Sequence, residues 1–217
     1  MPTLWPNVDA YNLAHGKSPP SSESPLVRER RAGNRRHILR QMESDLIQWE
    51  QSAFSREYSK IVGFDPFDPS GHVPRFLVHV PALHLPGGTF VLTDIDTPGA
   101  VPTAVIPGMA DDRATLDNFW GWPMGCPNKF ATALPAEKAL GCWQIFDPPT
   151  YLNGETLAVW RTPELWLRAR CRGVVVMNYE YARFWLEDRT SWQAQNAEHA
   201  DEIDLILRRH RADRMTE

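Results

Sequence analysis

Between Asn34 and Val62 the apolar residues Leu39, Met42, Leu46, Trp49 and Ala53 recur at alternating spacings of three and four. That recurrence sets them in a single seam along one face of a helix, and Tyr58 and Ile61 extend it. One continuous helix across this stretch is therefore the longest element predicted for the chain, with Gly63 ending it. Just before and within its first turns stand Arg28, Arg30, Arg31, Arg35, Arg36, His37 and Arg40, opposed there only by Glu29. Arginines engage phosphate oxygens bidentately, so one reading is a patch that tracks a nucleic-acid backbone. The competing reading is a solvated helix face whose cations oppose the helix dipole.

Composition bounds the rest. A chain of 217 residues suits one domain with a tail and is long enough for a real core. The net charge of -4 and pI near 6.0 give no global attraction to nucleic acid or anionic membrane, so any such contact must be local. Cys126, Cys142 and Cys171 lie far apart without a C-x-x-C pair, which suggests neither a zinc site nor a disulfide framework and fits reduced thiols in a cytoplasm. Residues 1–25 are polar and proline-rich and read as a flexible arm rather than a signal peptide. No apolar run approaches the roughly 20 residues that span a bilayer. Nine tryptophans read as core and surface anchors in preference to base-stacking platforms.

After the helix, Phe64 to Gly71 is a proline-punctuated loop. Arg75 to Val80 and Phe90 to Asp96 read as strands separated by a break at Pro86-Gly87-Gly88, and Val101 to Ile106 as a strand that Pro102 places near an edge. Asp112 to Trp120 reads as a short helix, and Phe130 to Leu134, Cys142 to Phe146 and Thr156 to Arg161 as short strands. Thr162-Pro163-Glu164 supplies an N-cap, a proline at the first helical position and an acid in the first turn, predicting a helix to about Cys171 that stops at Gly173. Val174 to Met177 is wholly apolar and predicts a deeply packed strand. Asn178 and Asn196 are caps for two further helices, Glu180 to Glu187 and a last one to about Arg211 with Ile203, Ile206 and Leu207 inward. The expected fold is a single α+β domain over residues 26–217: a small mixed or antiparallel sheet flanked by helices, with a long N-terminal helix and a helical C-terminal part.

One stretch looks arranged for chemistry. In Thr89-Phe90-Val91-Leu92-Thr93-Asp94-Ile95-Asp96-Thr97-Pro98-Gly99-Ala100 an apolar run ends in two aspartates at i and i+2, and Pro-Gly stops it. In a strand, alternate residues share a face, so Asp94 and Asp96 would present both carboxylates on one side while Ile95 points into a core. Hard oxygen ligands so placed suit Mg²⁺ or Mn²⁺. His79 and His84, five residues apart across a proline, read as structural.

This stretch resembles the first catalytic motif of plasmid replication proteins in the archaeo-eukaryotic primase superfamily, in which an apolar strand ends in D-x-D followed by a residue and Pro-Gly-Ala. The resemblance covers about residues 89 to 147. It implies a metal-dependent nucleotidyl transfer in which Asp94, Asp96 and Asp147 hold two metals, Lys129 or Lys138 neutralises the triphosphate, and the arginines at 28, 30, 31, 35, 36 and 40 follow the nucleic-acid backbone. The family's second motif carries a histidine after a glycine; here Gly141 is followed by Cys142, Trp143 and Gln144, and Trp143 or Gln144 takes that place. Two other readings share the same residues. Haloacid-dehalogenase-like phosphatases also begin with D-x-D, but this chain has its threonine one position early and a proline in the family's fifth position. The non-enzyme reading is a binding module for nucleic acid or a protein partner, built on an inactive version of a primase-like domain from a mobile element.

Overall fold

The computed structural model describes residues 25–50, 52–65, 74–110, 115–135, 139–145, 147–177, 186 and 191–214. Two helices lead the described chain, α1 (Pro25–Glu50) and α2 (Ala53–Val62). Five strands then close a barrel: β1 (Val78–Leu85), β2 (Thr89–Leu92), β3 (Val101–Met109), β4 (Leu116–Pro123) and β5 (Ala131–Thr132), in the order β1-β2-β5-β4-β3. A second sheet follows from β6 (Ala139–Leu140), β7 (Leu157–Trp160), β8 (Val174–Val176) and β9 (Trp192–Ala194), in the order β6-β8-β7-β9. Helices α3 (Pro163–Arg168) and α4 (Ala197–Arg214) complete it. The molecule is thus mixed α and β, but its first sheet closes on itself instead of lying open.

The helical seam predicted through residue 53 breaks. Ser52 is extended (φ -62°, ψ 149°), and its hydroxyl accepts from the Ser55 N–H at 3.1 Å, so it caps a new helix where a continuous one was expected. Leu39, Met42, Leu46 and Tyr58 are buried as the periodicity requires, but Trp49 is 44% exposed at the end of α1, and Ile61 is 57% exposed because after the break α2 turns Ser55 and Val62 inward with Tyr58. Gly63 ends α2 in the left-handed region at φ 70°, as expected.

Alternation explains β1, in which Val78, Val80 and Ala82 are buried and the residues between are half-buried. Strand β3 behaves otherwise: Thr103 through Gly108 are all buried. Val105 faces a cluster with Leu39, Met42, Leu46, Phe90 and Phe119, while Ala104 and Ile106 face Tyr58, Val62, Trp166 and Leu167. The expectation that Pro102 marks an edge is therefore wrong, for β3 pairs with both β1 and β4. Pro102 stands opposite Pro81. The Pro81 carbonyl accepts from Thr93 N–H at 3.2 Å and the Pro102 carbonyl from Met124 N–H at 3.0 Å, so the polar edges of the two prolines point away from each other. Neither missing N–H removes a β1–β3 bond.

Two further expectations fail. Residues 116 to 120, expected in a helix, open β4, where Asn118 is buried and its amide ties β4 to Leu134 through two hydrogen bonds of 2.8 and 3.1 Å. Cys142 to Ile145, expected as a strand, is a 3-10 turn. Strand β9 went unanticipated, since Trp192-Gln193-Ala194 is too short to carry a period. Elsewhere the residues act as read: Thr162 Oγ1 accepts from Leu165 N–H at 3.3 Å, β8 is buried throughout in the middle of its sheet, and Asn196 Oδ1 accepts from His199 N–H at 2.9 Å at the head of α4. The helix expected at Glu180 to Glu187, with its Asn178 cap, falls almost wholly outside the described residues. Trp120, Trp122, Trp143 and Trp166 are core residues. Among the described residues no helix is long and apolar enough to cross a membrane.

Candidate functional site

The acidic stretch leaves the sheet earlier than its pattern predicts. Strand β2 ends at Leu92, and Asp94 begins a turn in which the Thr97 N–H donates to the Asp94 carbonyl at 3.0 Å. Thr93 Oγ1 donates to Thr97 Oγ1 at 2.7 Å, and the Ala100 N–H donates to the Thr97 carbonyl at 3.0 Å, fixing a second turn. Asp94 and Asp96 are exposed, and Ile95, expected to enter a core, is 79% exposed at the turn's tip. Turn chemistry explains the change: Thr-Pro-Gly after an Asx residue favours reversal over extension, and Gly99 adopts φ 84°. The turn, Pro81 and Trp49 wall an open hollow of about 610 Å³. The two carboxylates are therefore neighbours at a surface, held by backbone turns instead of a strand.

Asp147, the third acid of the expected metal set, does not line that hollow. It is half-buried before a 3-10 segment (Pro148–Gly154), where its carbonyl accepts from the Thr150 N–H at 3.0 Å. Among the described residues no three of His, Cys, Asp or Glu converge where they could hold a metal ion. Lys129 is exposed in the loop between β4 and β5, and Lys138 lies outside the described residues.

Of the two residues in the place the resemblance gives to a histidine, Trp143 is 7% exposed in the core and Gln144 is 5% exposed and committed to the backbone. Its amide nitrogen donates to the carbonyls of Cys171 and Gly173 at 2.7 and 2.8 Å, and its oxygen accepts from the Gly173 N–H at 2.7 Å. The turn it clamps is strained, with Arg170 at φ 54° and Cys171 at φ 59° in a region that side chains other than glycine rarely adopt. Gly173 is required there, because a Cβ would meet the Ala158 carbonyl oxygen at 2.2 Å. Gln144 thus holds the joint between the 3-10 turn and β8.

The arginine set divides. Arg35 turns inward: its guanidinium donates to the Asp117 carbonyl at 2.8 Å and the Pro135 carbonyl at 3.4 Å, and lies 3.8 Å from the Asp117 carboxylate. It anchors α1 to β4 and the segment after β5. Arg36, His37 and Arg40 are exposed. Arg28, Arg30 and Arg31 belong to the first turns of α1, for which the structure describes the helical backbone.

Among the described residues burial shifts four titratable groups. Tyr58 accepts from the Trp122 indole N–H at 2.9 Å and donates to Glu164 at 3.2 Å; burial pushes its phenol up to about 12. His79, His84 and His199 are pushed down by burial, and His84 shares a 3.1 Å hydrogen bond with Thr103. The structural reading of His79 and His84 agrees with these positions in and beside the barrel. A second hollow lies beside Gly87 and Gly88, and the doubled glycine is its one mark in the sequence. No family model, curated protein or solved structure matches the chain.

Proposed function

We propose that the protein is a nucleic-acid-binding module that contacts the phosphate backbone through the exposed face of α1. The observation that carries this reading is the division of the arginines: Arg35 is bonded inward, while Arg36, His37 and Arg40 stand free of the face formed by Leu39, Met42 and Leu46. Cations on a rigid helix can engage phosphate at little cost in ordering, which is how sequence-independent contacts are made. Metal-dependent nucleotidyl transfer with Mg²⁺ or Mn²⁺ at Asp94 and Asp96 is the catalytic form of the same proposal. There the two carboxylates would share the cation with waters and substrate phosphate, since the described residues bring no third His, Cys, Asp or Glu to the turn. The binding form rests on the α1 cations alone.

A protein partner is the second reading, favoured by Ile95, whose 79% exposure beside the half-exposed Trp49 leaves apolar surface in water within an acidic rim. Fluorescence anisotropy with labelled single-stranded and duplex DNA separates the forms. The proposal expects saturable binding that weakens at least tenfold in the Arg36→Ala/Arg40→Ala double variant and survives Asp94→Ala. Incorporation of labelled nucleotide with Mn²⁺, lost in Asp94→Ala, would establish the catalytic form. Absence of DNA binding would overturn the proposal and leave the Ile95 surface as the functional one.

A further inference from the structure

Ile95 stands where a turn ordinarily takes a small or polar residue. It is the second residue of the Asp94–Thr97 turn, a position that Pro, Asp, Asn, Ser and Gly fill for conformational reasons. An apolar, β-branched side chain gains nothing locally there, yet Ile95 is 79% exposed. It is also held still: the Asp94 carbonyl accepts from the Thr97 N–H at 3.0 Å, Thr93 Oγ1 donates to Thr97 Oγ1 at 2.7 Å, and the Ala100 N–H donates to the Thr97 carbonyl at 3.0 Å. Trp49, 44% exposed, lines the same open hollow of about 610 Å³ with Pro81 and Pro98. Its backbone is fixed as well, since the Trp49 carbonyl accepts from the Ser52 N–H and the Ser55 hydroxyl, each at 3.0 Å. Two large apolar side chains are thus presented to water on ordered backbone, which lowers the ordering cost of covering them.

Charge selects what covers them. Asp94 and Asp96 flank Ile95, are exposed, and both line the hollow. Among the described residues no cation lines it, and the residues next in the chain to its lining are Gln48, Glu50, Val80, Ala82, Leu92 and Gly99, of which the one charged member is a further acid. Arg40, the last cation of α1, precedes Trp49 by nine residues, which is about 13 Å along a helix axis. The rim therefore repels a phosphate backbone and attracts a cation. An indole face adds to that attraction, because its quadrupole favours an ammonium or guanidinium group. We propose that the hollow docks a basic, apolar peptide segment of a partner protein, with a Lys or Arg side chain meeting the Trp49 indole and the Asp94 and Asp96 carboxylates and an apolar neighbour covering Ile95. This inference rests on the protein-partner reading above and names the class of partner; it draws nothing from the α1 cations.

Fluorescence anisotropy of the whole chain with short labelled peptides tests it: one alternates Lys and Leu, one Lys and Gly, and one Glu and Leu. The Lys–Leu peptide should bind saturably and about fivefold or more tighter than either of the others. Ile95→Ser should weaken it by about fivefold or more, and Asp94→Asn/Asp96→Asn by about tenfold or more, with unchanged thermal midpoints because all three side chains are exposed. Ile95→Ser should leave DNA affinity as in the parent, so this inference and the α1 proposal fail separately. No saturable binding of the Lys–Leu peptide, or binding that both variants leave unchanged, would overturn the inference. A Glu–Leu peptide that binds as tightly and is lost in Ile95→Ser would keep the protein-partner reading and overturn the basic class of the segment. Silence of both Leu-containing peptides would count against the protein-partner reading as well. Self-association of the chain that Ile95→Ser abolishes would assign the hollow to a second copy and overturn the proposal.

Discussion

Gln144 gives the clearest case of a residue whose type was informative and whose role was not. Its place after Gly141 invites a comparison with a nucleotide-binding histidine, yet its three hydrogen bonds close the Arg170–Gly173 turn. Gln144→Ala would remove all three bonds and strand the Gly173 N–H, while the Gly173 carbonyl keeps the Trp166 indole N–H at 2.8 Å, and we expect a loss of about 1–3 kcal/mol in denaturant unfolding. Tyr58 makes a pH-dependent prediction. Its folded pKa near 12 exceeds the unfolded value of 10, so its contribution is fully present below pH 10 and falls away as pH rises through 12. Tyr58→Phe should remove that alkaline decline and, by stranding the buried Trp122 N–H, cost about 1–3 kcal/mol at neutral pH. The three histidines act at the other end. Their folded pKa values are depressed by burial, so the unfolded chain takes up protons first and stability should fall as pH drops below about 6.5. Urea midpoints at pH 7.5 and pH 5 check the sign.

At the scale of elements, legibility followed the strength of local chemistry. Thr162-Pro163-Glu164, Asn196 and Gly63 are caps whose side-chain or backbone preferences act within a few residues, and α3, α4 and the end of α2 fall where these residues require. The run Val174-Val175-Val176 is apolar on both faces and sits inside its sheet. What was not legible depends on distant partners. Asp94-Ile95-Asp96 has the alternation of a strand end, but among the described residues no strand pairs with it and the Thr-Pro-Gly chemistry turns the chain. Leu116 to Trp120 becomes a strand because β3 pairs with it from Ile106 to Met109, with a register shift between Gly108 and Met109. The helix break at Ser52 hides within an intact apolar period. Ser52→Ala removes the cap of α2 and should cost about 1 kcal/mol in thermal or urea unfolding.

The whole molecule rests on a core that the barrel and the second sheet share. Trp120 and Trp122 of β4 and Ala104 and Ile106 of β3 belong to one cluster with Leu140, Trp166 and Val175, so neither sheet buries its apolar face alone. Unfolding should therefore be one cooperative event: native-state hydrogen exchange should give β3 and β8 the same opening free energy, and Trp122→Ala, at about 3–5 kcal/mol, should lower both together. On this frame α1 is fixed by Leu39, Met42, Leu46 and the inward Arg35, leaving Arg36 and Arg40 outward on the same rigid rod. If these outward cations meet phosphate, the salt dependence of DNA affinity must report them. Plotted as log K against log salt concentration, parent-chain binding to duplex DNA should fall steeply, and Arg36→Ala/Arg40→Ala should flatten the slope by about 2, roughly 0.9 per lost phosphate contact. A slope unchanged by the double substitution, or an affinity indifferent to salt, would show that Arg36 and Arg40 do not meet phosphate.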